Sequence, residues 1–300
     1  MPKVLLSRCD RLGDLILSLP ALGYLRQHGI EDRILHCSSY AADIGQWALH
    51  NELCSDLWID GQEPPESLVK ESSDFVGIAL FHSRASVRAF KKLGLKTTFA
   101  PRSKLSTLWS YKKTFVQKRS RCLMSEMEYN VDLVRCSLKK LALEAEEFIG
   151  LPALEIPPDW KIERKSPKLV IVVSNYNSAV NWGIDQYIKF ARDNYEKYEA
   201  SIDFLVSGFD AHLRKEAIEN SGLLEKGVGL VEVFPQLRDL VVYLAGAGEV
   251  MSSSTGPLHI AHAAGTPVFA LYPNIKTQSF DRWRPHGYWH SGAIRYQVIP

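Results

Sequence analysis

The chain has 300 residues, 46% of them hydrophobic and 23% charged, with a formal net charge of +2 at pH 7. That composition belongs to a soluble globular protein, excludes disordered and low-complexity chains, and the length suits two domains of ordinary size. Arg8, Asp10, Arg11 and Asp14 interrupt the first apolar run, and no stretch reaches the ~18 uninterrupted apolar residues of a membrane span. A cytoplasmic protein without a signal peptide is expected.

Five cysteines, Cys9, Cys37, Cys54, Cys122 and Cys136, are odd in number, scattered, and never in a CxxC pair. The pattern argues against a disulfide framework and a zinc site and fits reduced thiols, so no metal or other cofactor is expected. Cys9 reads as a small core residue before it reads as a nucleophile.

Residues 4–7, 34–38, 57–59, 75–81 and 97–100 are short β-branched or leucine-rich runs separated by helical patterns. Such alternation predicts βαβ units around a parallel sheet. The first run leads into RCDRLGDLILSLPAL, a polar turn followed by an amphipathic segment, with Gly13 permitting a tight turn and Asp14 near the start of a helix. A carboxylate at a strand-to-helix turn can act as a general base, and Asp10 or Asp14 can equally cap the helix. The local residues leave both roles open.

Between Arg84 and Arg121 there are 12 Lys or Arg residues and no Asp or Glu, in a chain whose formal total is only +2. The basicity is therefore local and suits an anionic ligand or an anionic membrane face, although a charge run is often just a solvated surface. Arg84 and Arg88 follow the run that ends at Phe81 and His82 and are the best placed for a ligand. Lys104, Lys112 and Lys113 come next, beside Trp109, Tyr111 and Phe115. Interleaved aromatics permit nucleic-acid binding, but no nucleic-acid motif accompanies them, so no nucleic-acid partner is expected.

Residues 151–168 contain Pro152, Pro157, Pro158 and Pro167 and read as an inter-domain linker, which sets domains of 1–155 and 156–300. Beyond it, apolar runs at 169–173, 202–206, 228–233, 249–252 and 268–271 again alternate with helical stretches. Two doubly wound Rossmann-like α/β domains follow, facing each other across a cleft, with ligands beyond the carboxyl ends of the strands.

The run SSSTGPLHIAHAAGTPVFALYP, residues 252–273, follows a strand, turns at Thr255 and Gly256, starts a helix with Pro257 near its first position, and ends that helix at Gly265. Unpaired amides at such a helix start, around Ser254, Thr255, Gly256 and Pro257, can hold a diphosphate. His259 in the first turn can add a donor; a capped structural helix with buried histidines is the alternative. Gly246-Ala247-Gly248 precedes its strand and so is no dinucleotide fingerprint, which makes an oxidoreductase a poor reading.

Together these two runs resemble glycosyltransferase family 9, the ADP-heptose:lipopolysaccharide heptosyltransferases, whose loops read like LGDLILSLPAL and STGPLHIAHAAGTPVFALYP. The segment from Phe280 to Gly287, with Arg282, Trp283 and Pro285, is similar to the family's ending. The resemblance implies a GT-B fold, an acceptor on the first domain, a nucleotide-sugar on the second, and inversion at the anomeric carbon. It implies Asp14 as catalytic base, and with the acceptor on the first domain, Gly13 and the basic segment's Arg84, Arg88, Lys104 and Lys112 are the candidates toward an anionic glycolipid or oligosaccharide acceptor. Ser254, Thr255, Gly256, Pro257 and His259 fall to the donor, an ADP-linked sugar serving as co-substrate. No Asp-x-Asp triplet occurs, which suits transfer without a metal. Peripheral contact with the inner face of the cytoplasmic membrane is expected.

Two departures from the family pattern stand out. Ser254 replaces an acidic residue before the Thr-Gly pair, and Val180 replaces a phosphate-binding lysine ahead of Trp182. Asn175 and Asn181, with Asn177 and Ser178, supply neutral donors there instead, about half as strong as charge-assisted ones. A non-catalytic nucleotide-sugar-binding protein, and a nucleotide-sugar epimerase or hydrolase, are the rival readings. Asp210 and Glu232 are weaker candidates for ribose or base contact, or else a helix cap and a surface acid.

Overall fold

A computed structural model describes residues 1–103, 105–175, 180–232, 234–285, 288–290 and 292–300, except the side chains of Asn175 and His290. The chain divides into two compact units, Met1–Glu155 with Gly287–His290, and Ile156–His286 with Ser291–Pro300.

In the first unit β1 (Lys3–Arg8), β2 (Arg33–Cys37), β3 (Asp56–Ile59), β4 (Phe75–Ala79), β5 (Thr97–Pro101) and β6 (Lys113–Phe115) form a six-stranded parallel sheet in the order β3-β2-β1-β4-β5-β6. Helices α1 (Leu12–Ile16), α2 (Leu19–Gln27), α3 (Ala42–His50), α4 (Glu66–Lys70), α5 (Arg84–Lys92), α6 (Leu105–Ser110) and α7 (Glu126–Lys140) accompany it. Because β1 lies between β2 and β4 with both faces covered, Val4, Leu5 and Leu6 are fully buried. That is why it reads as a continuous apolar run rather than an alternation.

The second unit carries β8 (Leu169–Asn175), β9 (Ile202–Gly208), β10 (Gly229–Val231), β11 (Val250–Ser253), β12 (Val268–Pro273) and β14 (Ile294–Ile299), whereas the short strands β7 (Leu151–Pro152) and β13 (Trp289–His290) belong to the first. The second parallel sheet runs β10-β9-β8-β11-β12-β14. Its helices are α8 (Ile184–Asp193), α9 (Ala211–Glu219), α10 (Leu237–Gly246), α11 (Gly256–Ala263) and α12 (Phe280–Trp283). Ile171, Val173, Phe204, Val206 and Leu271 form the heart of its core.

The second unit does not take every residue after 155. Strand β13 pairs in parallel with β7, Leu151 N–H donates to Tyr288 O at 2.5 Å, and the Tyr288 ring lies 4.9 Å from Phe148. A backbone ladder and an aromatic contact thus draw the segment back to the first unit, where a boundary placed on prolines alone assigns it to the second.

Two local features set up the loops that matter. Asn130 Nδ2 on α7 donates to Leu17 O and Ser18 Oγ, both at 3.2 Å, and Ser18 Oγ donates to Asp14 O at 2.7 Å, so the α1–α2 turn is held from both sides. Gly265, at φ +89°, ends the α11 turn in the left-handed region that favours glycine. Among the described residues no helix is long and apolar enough to cross a membrane.

Candidate active site

The last residue of β1, Arg8, is only 2% exposed and carries the centre of a polar cluster. Its Nε donates to Asp10 Oδ1 and its Nη2 to Asp14 Oδ1, each at 2.6 Å, while Nη1 donates to Glu126 Oε1 at 3.1 Å and to Asn130 Oδ1 at 3.3 Å. Arg119 Nη1 adds a second cation to Glu126 Oε1 at 2.5 Å. Arg8 thus shares its charge among the carboxylates of Asp10, Asp14 and Glu126.

That sharing leaves burial to decide the state of Asp14. Burial raises its carboxyl from 3.8 to about 6, with Asp10 and Glu126 pushing the same way and Arg8 and Arg11 pulling it back. Burial also raises Asp10, against Arg8. A carboxylate that titrates just below neutrality is both ionised at pH 7 and basic enough to accept a proton, which is the balance a general base needs.

Beyond the cluster, His36 at the end of β2 is fully buried and meets Ser7 Oγ at 2.9 Å through Nδ1 and Asp60 Oδ1 at 3.6 Å through Nε2. Burial lowers its pKa to about 4 despite Asp60, so the ring is neutral at pH 7. Arg88 Nη2 reaches the other oxygen of Asp60 at 3.4 Å, which places one of the predicted acceptor arginines beside the ends of β2 and β3. Arg84 is exposed in the first turn of α5, where Ser83 Oγ caps the helix by accepting from Ser86 N at 3.0 Å. Burial pushes the Cys9 thiol up to about 12, so it is no thiolate nucleophile.

Gly13 is the second residue of α1. Lys112 keeps different company from Arg84 and Arg88: with Arg102, Lys113 and Lys140 it lines a cavity of about 460 Å³ beside the edge strand β6. Lys104 and the residues Asn177 and Ser178 lie outside the described residues, as does the side chain of Asn175.

In the second unit Thr255 is the N-cap of α11 in extended backbone, and Pro257 stands in the first turn. The Thr255 side chain makes no cap to the helix; its hydroxyl turns back to Ser252 Oγ at 3.1 Å and donates to Ser253 O at 3.3 Å. The first-turn amides of an eight-residue helix are thereby left without a side-chain cap at the carboxyl end of β11. Ser254 Oγ is buried beside the Tyr272 phenol without a well-aligned hydrogen-bond partner.

His259 is buried, and its Nδ1 has no hydrogen-bond partner among the described residues. Burial, with help from His262, lowers its pKa to about 3, so any proton it offers comes from a neutral ring. Asn181 Nδ2 donates to Ser174 O at 2.7 Å and ties the loop after β8 to its strand, while Val180 is exposed. Asp210 pairs with Arg214 at 3.0 Å and Glu232 with Lys215, which gives both acids a structural partner.

Sequence reasoning singles out Asp14 but not the residues that tune it. Arg8 is a charged residue ending an otherwise apolar strand, a signal readable in the sequence; Glu126 and Asn130 arrive from more than a hundred positions away, and no local pattern points to them.

Residues 85–292 match glycosyltransferase family 9 (heptosyltransferase). A candidate glycosyltransferase of Haemophilus influenzae is 27% identical over 317 residues, covering 95% of this chain and 86% of its own length. Among solved structures, a family 9 glycosyl transferase of Veillonella parvula superposes with a TM-score of 0.75 at 13% identity, over 99% of this chain and 86% of its own. The E. coli ADP-heptose LPS heptosyltransferase II gives 0.73 at 16% identity, over 99% and 90%. An E. coli heptosyltransferase with ADP gives 0.66 at 16%, over 98% and 93%. The two parallel six-stranded units are the α/β architecture of these GT-B structures. With well over half its length matched, the chain belongs to glycosyltransferase family 9, the heptosyltransferase family.

Proposed function

We propose that this glycosyltransferase moves a heptose from ADP-heptose to a hydroxyl of an anionic lipopolysaccharide-core acceptor, with inversion and without a metal, at the inner face of the cytoplasmic membrane. The reading rests above all on Asp14, a largely buried carboxyl in the first turn of α1, held by Arg8 and titrating at about 6. The E. coli structures named with ADP and with an ADP-linked fluoro-heptose support the donor.

In the proposed step Asp14 takes the proton of the acceptor hydroxyl as that oxygen bonds to the anomeric carbon. The bond from that carbon to the diphosphate breaks, its electron pair leaving with ADP, and a single displacement inverts the configuration. The leaving diphosphate is assigned to the first turn of α11, where the Gly256 N–H, the Thr255 hydroxyl and the helix dipole beside Pro257 meet its charge. Ser254, His259, Asn175 and Asn181 complete the donor side with neutral groups. Arg84 and Arg88 are assigned to the anionic acceptor.

Asp14→Asn tests this. The variant is expected to fold, with a melting temperature no lower than the parent's, and to keep its thermal shift with ADP-heptose while losing about 10²–10⁴-fold in transfer. Turnover close to the parent would remove Asp14 from the role, and a thermal shift with a UDP- or GDP-sugar alone would reassign the donor. Ser254 and Val180, where the family carries charge, favour a second reading, a cleft that binds the donor without turnover. It predicts the same thermal shift with no transfer by the parent chain on any acceptor.

A further inference from the structure

Helix α6 is built inside out. Leu105, Leu108 and Trp109 stand at i, i+3 and i+4 and share one face, yet they are 79%, 45% and 90% exposed, while the polar Thr107 on the opposite side is fully buried. A surface helix ordinarily turns its apolar stripe inward. Val116, just past β6, and Leu123 add further exposed apolar side chains in the same stretch of chain.

The apolar face is set among cations. Arg102, Lys112, Lys113 and Lys140 line the cavity that Leu108 and Phe115 also border, and no acid lines it. The surrounding segment from Arg84 to Arg121 carries 12 cations and no Asp or Glu.

We propose that α6 and β6 form a docking surface for a bilayer that contains anionic lipid, with Leu105, Leu108 and Trp109 entering the headgroup boundary and the lysines meeting lipid phosphates. Charge complementarity selects this occupant. Protein-protein interfaces deplete lysine at their cores, whereas interfacial membrane segments combine lysine with leucine and tryptophan. Each cation near an anionic leaflet contributes about 1 kcal/mol, which is about fivefold in binding, and a few such contacts with three apolar side chains give reversible attachment. The inference rests on the membrane location in the proposed function and names the surface for it, while attachment itself needs neither donor nor acceptor.

Co-sedimentation of the full chain with vesicles of phosphatidylcholine, alone and with phosphatidylglycerol, tests it. Binding is expected to the anionic vesicles, to weaken with salt, and to bring quenching of tryptophan emission by lipid-borne doxyl groups. Leu105→Ser with Trp109→Ser is expected to abolish both binding and quenching at unchanged melting temperature. Lys113→Gln with Lys140→Gln is expected to cost about fivefold per lysine while sparing the apolar contact. Failure of the parent chain to bind anionic vesicles overturns the proposal, and so does binding that neither pair of substitutions alters. A concentration-dependent dimer that only the serine pair dissolves, with no vesicle binding, assigns the face to a second copy and overturns it as well. None of these results bears on the Asp14→Asn transfer assay, so the two readings fail separately.

Discussion

Arg8 and Asp14 are joined at 2.6 Å, but the same guanidinium also serves Asp10 and Glu126, so Asp14 receives only part of its charge. A carboxylate with an arginine to itself is driven below its ordinary pKa; one that shares the arginine with two others under burial goes the other way. The cluster therefore both orients the carboxyl and keeps it basic.

A pH profile follows from this arrangement. With Asp14 titrating at about 6, set by burial, Asp10 and Glu126 against Arg8 and Arg11, kcat/KM is expected to fall about tenfold per unit below that pH and to level above it. The apparent value belongs to the coupled cluster. A rate that stays flat down to about pH 5 would detach the base from this carboxyl.

Stability should move in the opposite sense. The folded pKa of Asp14 lies above 3.8, so the native chain holds this proton more tightly than the unfolded chain, and stability contributed in acid is lost as pH rises from about 4 to about 6. Asp14→Asn, which keeps a neutral side chain in place, is expected to be more stable than the parent by on the order of 2 kcal/mol at neutral pH and no more stable in acid. Urea titrations at the two pH values decide this.

Arg8→Gln should show the converse. It leaves Asp10, Asp14 and Glu126 with Arg119 as the remaining guanidinium of the cluster, and removing one partner of a buried ion pair costs about 3–5 kcal/mol. The loss is expected to shrink in acid, where the carboxyls take protons. A loss independent of pH would mean that packing, not charge, is what Arg8 supplies.

Much of this was legible before any coordinates, for physical reasons that also explain the rest. Central strands such as β1 and β8 are covered on both faces and announce themselves as apolar runs, whereas the edge strand β14 is exposed at four of its six positions and β6 is a three-residue strand inside a basic segment. The Asp14 and Thr255 loops are local motifs and can be read along the chain. The protonation of Asp14 depends on Glu126, 118 positions from Arg8, and no local pattern carries that information. The Lys112 side chain, grouped by sequence with Arg84 and Arg88, lines the cavity with Lys113 and Lys140, the last carried by α7, which packs on β5 next to β6.

Gly23 offers a test of packing in the first unit that leaves the chemistry aside. A Cβ there would stand 2.5 Å from Leu151 Cδ2, where β7 meets α2. Alanine normally improves a helix interior, yet Gly23→Ala is expected to lower stability by about 1–3 kcal/mol because the overlap must be relieved in a packed region. A melting temperature at or above that of the parent would show that Leu151 can move aside freely.

His259 supplies the last prediction. If the donor diphosphate were held by an imidazolium, affinity would decline as pH rises through the ordinary histidine value of 6.5. Burial and the neighbouring His262 instead hold His259 near 3, so the ring is neutral throughout the neutral range. The diphosphate of an ADP-sugar keeps its charge over the same interval, so its own titration does not confuse the reading. Calorimetric affinity for ADP-heptose is therefore expected to be flat from about pH 6 to about pH 8, with the amides of α11 rather than a histidine cation meeting the charge. A tenfold decline across that interval would give His259, or His262 beside it, a protonated role in the complex and would mean that donor binding raises the pKa by taking up the unpartnered Nδ1.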